Sequence, residues 1–187
     1  MDDRAVIAAT RRWVASVVIE LNLCPFARKV FEADRIRYVV SRATDEETLC
    51  GDLRRELLAL AAVPRDAVET IILIHPEVLG DFLNYNDFLT VADATVRDLG
   101  FEGTFQIASF HPGYQFAGTS PTAVENYTNR SPYAMLHLLR EVSVSEVTVG
   151  QESGLDIPRR NQATMQREGL KAMGQRLAEV GRERPEG

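Results

Sequence analysis

Apolar residues recur at helical spacing over three stretches of the chain, and the spacing predicts three helices. Residues 4–23 carry seven apolar side chains on one face, which predicts an amphipathic helix that ends where a proline follows. Residues 45–61 predict a leucine-lined helix, because Thr44 or Asp45 can cap its first turn. Residues 81–99 predict a third helix, which a glycine terminates.

Between these helices lie three short runs of β-branched and aromatic residues, at 36–40, 70–74 and 104–110. The middle run is continuously apolar, as is typical of a strand buried on both faces. The resulting β-α-β-α-β order favours parallel pairing with right-handed crossovers. We therefore predict an α/β fold with a small, mostly parallel sheet of three or four strands, helices packed on it and additional C-terminal helices.

The C-terminal third is predicted to be helical. We expect helices at 132–141, near 143–149 and at about 158–180. The length suits one domain, so residues 1–187 are predicted to form a single α/β domain. Residues 158–187 would be its C-terminal helix and a short flexible tail.

The segment 109–141 contains about twenty residues without periodicity, which is long for a connection inside a compact domain. It is rich in aromatic residues, whereas disordered segments are poor in them. These are Phe110, Tyr114, Phe116 and Tyr127. The segment is therefore predicted to be an ordered loop, and ordered loops often carry function.

Two histidines follow predicted strands, where a parallel sheet binds its ligands. His75 comes directly after the second strand and His111 directly after the third. Imidazole is a general acid or base near neutral pH, so His111 is the main catalytic candidate and His75 the second. In the alternative interpretation, each His-Pro pair ends a strand and its ring is bonded to a nearby carbonyl.

The start of the predicted helix 132–141 is a candidate anion site. Ser131 suits an N-cap and Pro132 the first helical position, so free N–H groups would lie there beside the guanidinium of Arg130. Such a site matches a carboxylate or a phosphate. Alternatively, this is an ordinary cap whose arginine pairs with Glu125 or Glu141.

Four further residues complete the predicted ligand-binding set. Tyr114, Gln115 and Asn129 are polar residues of the loop that can orient a substrate. His137 lies one helical turn from Tyr133 in the predicted helix, so its face can point towards the loop. The alternative is a half-buried histidine packed in an apolar helix.

Composition excludes several classes of function. A net charge of −6 argues against non-specific binding of nucleic acid, which needs a clustered basic surface. No apolar run approaches the ~20 residues that span a bilayer. Neither a nucleic-acid partner nor a membrane is therefore predicted, and the oligomeric state is left open.

The two cysteines, Cys24 and Cys50, form no CxxC pair and no metal-ligand pattern. We predict a cytoplasmic protein with reduced thiols and without a metal site; the sequence specifies no cofactor. Cys24 can be a nucleophile. However, its place at the end of a helix, followed by Pro25 and Phe26, favours a structural role.

Several strings of residues resemble the DUF1415 family, a family of mainly bacterial proteins without an established function. The resemblance extends from the first helix to the end of the segment 109–141. It rests on Leu23-Cys24-Pro25-Phe26-Ala27, Phe110-His111-Pro112, Tyr114-Gln115-Phe116-Ala117-Gly118-Thr119 and Thr128-Asn129-Arg130-Ser131-Pro132-Tyr133 through His137-Leu138-Leu139-Arg140-Glu141. It implies no catalytic residues, so the site candidates rest on the residues themselves.

Three hypotheses about function follow from the sequence. In the first, the protein is a small enzyme that acts on an anionic metabolite at a site formed by the 109–141 loop. In the second, it is a non-catalytic domain that binds a ligand or a protein, with the loop as a structural lid. In the third, the loop serves only the fold, and His111 and Arg130 are bonded within it.

Overall fold

The computed structural model describes residues 2–149 and 156–181, which form an α/β fold. Its four strands are β1 (Ile36–Val40), β2 (Thr70–Ile74), β3 (Phe105–Phe110) and β4 (Met135–Arg140). Its α-helices are α1 (Asp3–Trp13), α2 (Ala27–Glu32), α3 (Glu46–Ala62), α4 (Phe82–Asp98), α5 (Glu141–Val149), α6 (Asp156–Glu168) and α7 (Leu170–Val180). A π-helix spans Val14–Ile19 and a 3₁₀-helix spans Val124–Thr128.

The first three strands and the three long helices of the N-terminal half lie where the sequence predicts them. The side chain of Asp45 caps α3 by accepting a hydrogen bond from the N–H of Thr48, 2.8 Å away. Asp81 caps α4 in the same way. The predicted first helix is α1 continued by the π-helix, whereas α2 and the 3₁₀-helix were not predicted.

The sheet is not mostly parallel as predicted. Its order is β1-β2-β4-β3; β1 and β2 pair in parallel, and β4 is antiparallel to both of its neighbours. The three predicted strands therefore run in the same direction, but β4 separates the second of them from the third. The carboxyl ends of these three strands lie at one edge of the sheet, as expected. The crevice expected between the second and third of them is absent, because the antiparallel strand β4 lies between them.

The predicted helix 132–141 is wrong, since residues 135–140 form β4. Four of its six residues are buried, and it pairs with a strand on each side. An inserted central strand must be apolar on both faces. An apolar run of this length fits a buried strand as well as a helix, so spacing alone does not distinguish the two.

Helices cover the sheet on both faces. One core lies on the side of α3 and α4 and includes Leu49, Leu57, Phe88 and Leu136. The other lies on the side of α1, the π-helix, α6 and α7 and includes Trp13, Val17, Ile72, Met135 and Met173. The side chains of each strand point alternately into the two cores, because successive residues of a strand face opposite sides of the sheet.

The predicted C-terminal helix is two helices, because Gly169 at φ 79° interrupts it between α6 and α7. An L-residue with a side chain rarely adopts this backbone conformation. The end of the predicted flexible tail, 182–187, lies outside the described residues. Within the described part of the chain, no helix has both the length and the apolar character that crossing a membrane requires.

Candidate functional site

The loop of the 109–141 segment is the part between β3 and β4, residues 111–134, and it is ordered around a buried asparagine. Asn126 is fully buried, and its Oδ1 accepts hydrogen bonds from the N–H of Phe116 at 3.0 Å and from the hydroxyl of Thr119 at 2.9 Å. Its Nδ2 donates to the carbonyl of Ser120 at 2.9 Å. One side chain thus holds three residues of the loop in place. These hydrogen bonds account for the order of residues 116–120, which belong to no helix or strand.

Arg130 also ties the loop together. Its Nε donates to the carbonyl of Tyr114 at 3.1 Å, and one terminal nitrogen donates to the carbonyl of Pro121 at 2.7 Å. Its guanidinium lies 4.8 Å from the ring centre of Tyr127, a cation–π contact. The guanidinium is therefore hydrogen-bonded within the loop, as the third hypothesis predicts.

The predicted anion site at Arg130 and Ser131 loses its physical basis. No helix begins at Pro132, so the free N–H groups and the dipole that would hold an anion are missing there. The hydroxyl of Ser131 is buried and donates to the carbonyl of Tyr133 at 2.6 Å. This hydrogen bond shapes the entry into β4.

The other predicted ligand-binding residues of the loop contact the loop itself or its base. Gln115 donates to the carbonyl of Thr119, and Asn129 donates to the carbonyl of Ser109 at 3.0 Å. The ring of Tyr114 packs against two aromatic rings, with centroid distances of 5.1 Å to Phe82 and 5.0 Å to Phe116. The structure does not bring these side chains together around a pocket with His137.

His75 and His111 do lie together at one edge of the sheet. They flank the ring of Tyr85, with centroid distances of 5.8 Å and 5.0 Å. Both are buried, and each faces a backbone carbonyl: that of Val78 for His75 and that of Leu79 for His111, both at 3.1 Å. This is the arrangement that the alternative interpretation describes.

The two rings differ in how their nitrogens are used. In His111, Nδ1 accepts the N–H of Gly113 at 2.9 Å, so Nε2 carries the proton and the ring is neutral. Burial lowers its pKa. In His75, Nε2 has no partner among the described residues, and burial lowers the pKa to about 4. Their acid/base roles remain predictions.

A pocket of about 210 Å³ lies on the opposite face of the sheet from α3 and α4. Its floor is formed by strand residues, its wall by the π-helix and the turn before α2, and further contacts come from α5 and α6. We call it the sheet-face pocket. It is lined by Trp13, Val14, Val18, Leu23, Cys24, Pro25, Phe26, Ala27, Val30, Ile36, Thr70, Ile72, Ala108, Phe110, His137, Leu139, Val144 and Ile157.

The sheet-face pocket is almost entirely apolar. Among the described residues, its polar side chains are Trp13, Cys24, Thr70 and His137, and no lysine, arginine or carboxylate of this part of the chain lines it. The indole of Trp13 donates to the carbonyl of Arg130 at 3.0 Å. The hydroxyl of Thr70 donates to the carbonyl of Leu138. Apolar walls with few polar groups are typical of small-molecule sites.

His137 is the predicted site residue that lies in this pocket. Its Nε2 is 2.8 Å from the hydroxyl oxygen of Thr70, and its ring centre is 6.1 Å from that of Phe110. Burial lowers its pKa to about 4. The imidazole is therefore neutral near pH 7.

Cys24 lines the same pocket as His137. Burial raises the pKa of its thiol, while N–H groups of Phe26 and Ala27 that point at the sulfur oppose this effect. The net effect keeps the sulfur protonated at neutral pH, which does not favour a nucleophile. The cysteine is unpaired, as is Cys50.

Residues 5–175 match the model of the family described as "Protein of unknown function (DUF1415)". The chain belongs to the DUF1415 family. The matched range of this DUF1415 chain includes every residue that lines the sheet-face pocket. No curated protein and no solved structure matches it.

Sequence reasoning placed the site of this DUF1415 chain in the loop and missed most of the pocket. The segment 109–141 contributes only Phe110, His137 and Leu139 to the lining. One available signal was the string Leu23-Cys24-Pro25-Phe26-Ala27, which carries the family resemblance and lies in the wall. Within the described residues, no group of three or more potential metal ligands is present in the DUF1415 chain.

Proposed function

We propose that this DUF1415 chain binds a small apolar molecule in the sheet-face pocket, without catalysing a reaction, and that the loop between β3 and β4, residues 111–134, is a structural lid at its border. The observation that carries the proposal is the apolar lining of a pocket of about 210 Å³. An apolar cavity of ~150 Å³ is sufficient to hold benzene. A ligand with one ring and a short substituent therefore fits the size.

The lid role in this proposal is supported by two contacts at the border of the pocket. Trp13 donates to Arg130 at the end of the loop, and its ring packs edge-on against Phe110 at 5.1 Å. Both aromatic rings line the pocket. A ligand that touches them is thus in contact with the residues on which the loop is anchored.

The hypothesis of an enzyme for anionic metabolites has weaker support. It assigned the anion to the guanidinium of Arg130 and to a helix start at Ser131. The guanidinium instead donates hydrogen bonds to two loop carbonyls, and a strand follows Ser131 where the helix was expected. The part of the sheet-face pocket that the structure describes offers an anion no cationic side chain. The cytoplasmic location and the absence of nucleic-acid and membrane partners remain predictions from composition.

Trp13 lines the pocket and is the only tryptophan in the chain, so its fluorescence reports binding there. Toluene and para-ethyltoluene titrated into the protein are expected to change its fluorescence in a saturable way. They are also expected to raise the thermal midpoint, since a ligand at 100 times its Kd adds about 2.7 kcal/mol to stability. Inorganic phosphate and benzoate titrated in parallel test the anionic alternative.

A filled pocket is the matched control. Ala108→Leu adds bulk from β3 into the pocket and should abolish both responses, whereas Ser109→Leu adds similar bulk on the other face of the same strand. If neither the hydrocarbons nor para-ethylphenol binds, or if Ala108→Leu binds them unchanged while folded, the proposal is wrong. A phosphate response that disappears in Arg130→Ala would instead support the enzyme hypothesis.

A further inference from the structure

We infer that the sheet-face pocket selects an apolar ligand that carries one neutral hydrogen-bond donor, an O–H or N–H group, which donates to Nδ1 of His137. The inference rests on the proposed function and specifies the class of its ligand. Phenols and simple alcohols belong to this class, whereas carboxylates and plain hydrocarbons do not.

Thr70 fixes the tautomer of His137. A threonine hydroxyl has a single hydrogen, and that of Thr70 is donated to the carbonyl of Leu138. The contact of 2.8 Å between the hydroxyl oxygen and Nε2 of His137 must then be donated by the imidazole. A neutral ring with its proton on Nε2 has its lone pair on Nδ1.

Position in the sheet directs His137 to the pocket. It pairs with Ile72 on β2 and with Ala108 on β3, and both of these residues line the pocket. Paired residues of adjacent strands share a face of the sheet. Nδ1 makes no hydrogen bond within the described residues. A strong acceptor is therefore available in an otherwise apolar lining.

The other polar side chains of the lining are already engaged. Trp13 donates to Arg130 and has no acceptor, and the hydroxyl of Thr70 both donates to Leu138 and accepts from Nε2 of His137. The sulfur of Cys24 faces two backbone N–H groups, and sulfur is a weak acceptor. Among the described lining residues, recognition of a ligand's polar end is thus left to Nδ1 of His137.

The charge of the pocket decides the kind of donor. The imidazole is neutral near pH 7, and none of the lining residues in ranges 2–149 and 156–181 is cationic. A carboxylate has no proton to donate and would be desolvated without a counter-charge, which is costly. A neutral hydroxyl or N–H group, in contrast, can donate to Nδ1 of His137 without bringing a charge into the pocket.

A pair of nearly isosteric ligands tests this selection. Para-ethylphenol and para-ethyltoluene differ in one hydroxyl against one methyl group, and their Kd values are measured by calorimetry with wild type and His137→Phe. We expect the ratio of the two Kd values to move about tenfold or more towards para-ethyltoluene in His137→Phe, because the hydroxyl then lies buried without a partner. His75→Phe makes the same exchange at a histidine outside the pocket and should leave the ratio unchanged.

Nitrogen-15 NMR of the wild-type imidazoles gives a second measurement that needs no variant. His137 is expected to show a proton on Nε2, and para-ethylphenol should shift its Nδ1 resonance while para-ethyltoluene does not. If both ligands bind with an unchanged ratio and no Nδ1 shift, the inference is wrong and the proposed function stands. If para-ethylbenzoate binds more tightly than para-ethylphenol, the inference is also wrong. If no probe binds, the proposed function fails together with it.

Discussion

The indole Nε1 of Trp13 lies 3.0 Å from the main-chain oxygen of Arg130 and donates a hydrogen bond to it. The two residues are more than a hundred positions apart in sequence, and each belongs to a different part of the site. Trp13 ends α1 and lines the sheet-face pocket, whereas the side chain of Arg130 staples the loop. Through this bond, the pocket wall and the loop support one another.

Trp13→Phe should therefore loosen the loop as well as the wall. Phenylalanine keeps a smaller aromatic ring at this position. The carbonyl of Arg130 loses its hydrogen-bond donor, which lowers the free energy of unfolding by about 1–3 kcal/mol for a buried acceptor. The lost ring volume lowers it further. Urea unfolding followed by circular dichroism measures the change in stability. Hydrogen exchange should be faster in the 111–130 segment and unchanged in α3. Equal acceleration in both regions would contradict a local link.

Arg130→Ala should open the loop with only a small effect on the rest of the fold. The substitution removes the hydrogen bonds to the carbonyls of Tyr114 and Pro121 and the cation–π contact with Tyr127. We expect limited proteolysis within 114–127 to accelerate markedly, because cleavage follows the population of the opened loop. Arg97→Ala, at an exposed position near the end of α4, is the control. Cleavage at the wild-type rate in Arg130→Ala would show that the guanidinium does not hold the loop.

Local signals in the sequence were sufficient for the start of α3 and for strands whose composition is unambiguous. Thr44 or Asp45 was the predicted cap of α3, and Asp45 takes this role because its side chain acts within three residues. The segment 135–140 is different, since Met135 and Leu139 fit a helical face as well as they fit a strand. Its conformation is decided by β2 and β3, which both need a pairing partner there.

The sheet-face pocket is not predictable from local pattern. Its walls come from residues 13–30 and its floor from strands that end as late as Leu139, and only the strand order brings them together. His137 was selected for its nearness to the loop on a helix that does not exist. It lines the pocket because of its register opposite Ile72 and Ala108. Contacts of this kind depend on tertiary structure.

The buried histidines should make stability depend on pH. The pKa values of His75 and His137 are lowered to about 4 by burial, and that of His111 is also lowered. An unfolded chain binds protons on histidine near pH ~6.5, so it binds more protons than the folded chain between these values. Stability is therefore fully present above that pH and is lost as the pH falls towards about 4.

For each of His75 and His137, the expected loss between about pH 7 and about pH 5 is about 2 kcal/mol. Urea unfolding at the two pH values measures it. His137→Phe removes one of the titrating groups, so its stability should fall less steeply with decreasing pH than that of wild type, and His75→Phe should behave alike. A pH-independent stability of the wild type over this window would mean that the rings titrate in the folded protein as they do in the unfolded chain.

Ligand binding should protect Cys24 from alkylation and leave Cys50 unprotected. Cys24 lines the pocket, whereas Cys50 lies on α3 on the other side of the sheet, with its sulfur 3.4 Å from the hydroxyl of Thr95. Because burial raises the pKa of the Cys24 thiol, its reaction with N-ethylmaleimide should already be slow in the free protein. Para-ethylphenol at ten times its Kd should slow it about tenfold further, as only the free fraction reacts. Mass spectrometry of the labelled peptides measures both sites in one sample. Unchanged labelling of Cys24 at a ligand concentration that saturates the fluorescence change of Trp13 would place the ligand outside the sheet-face pocket.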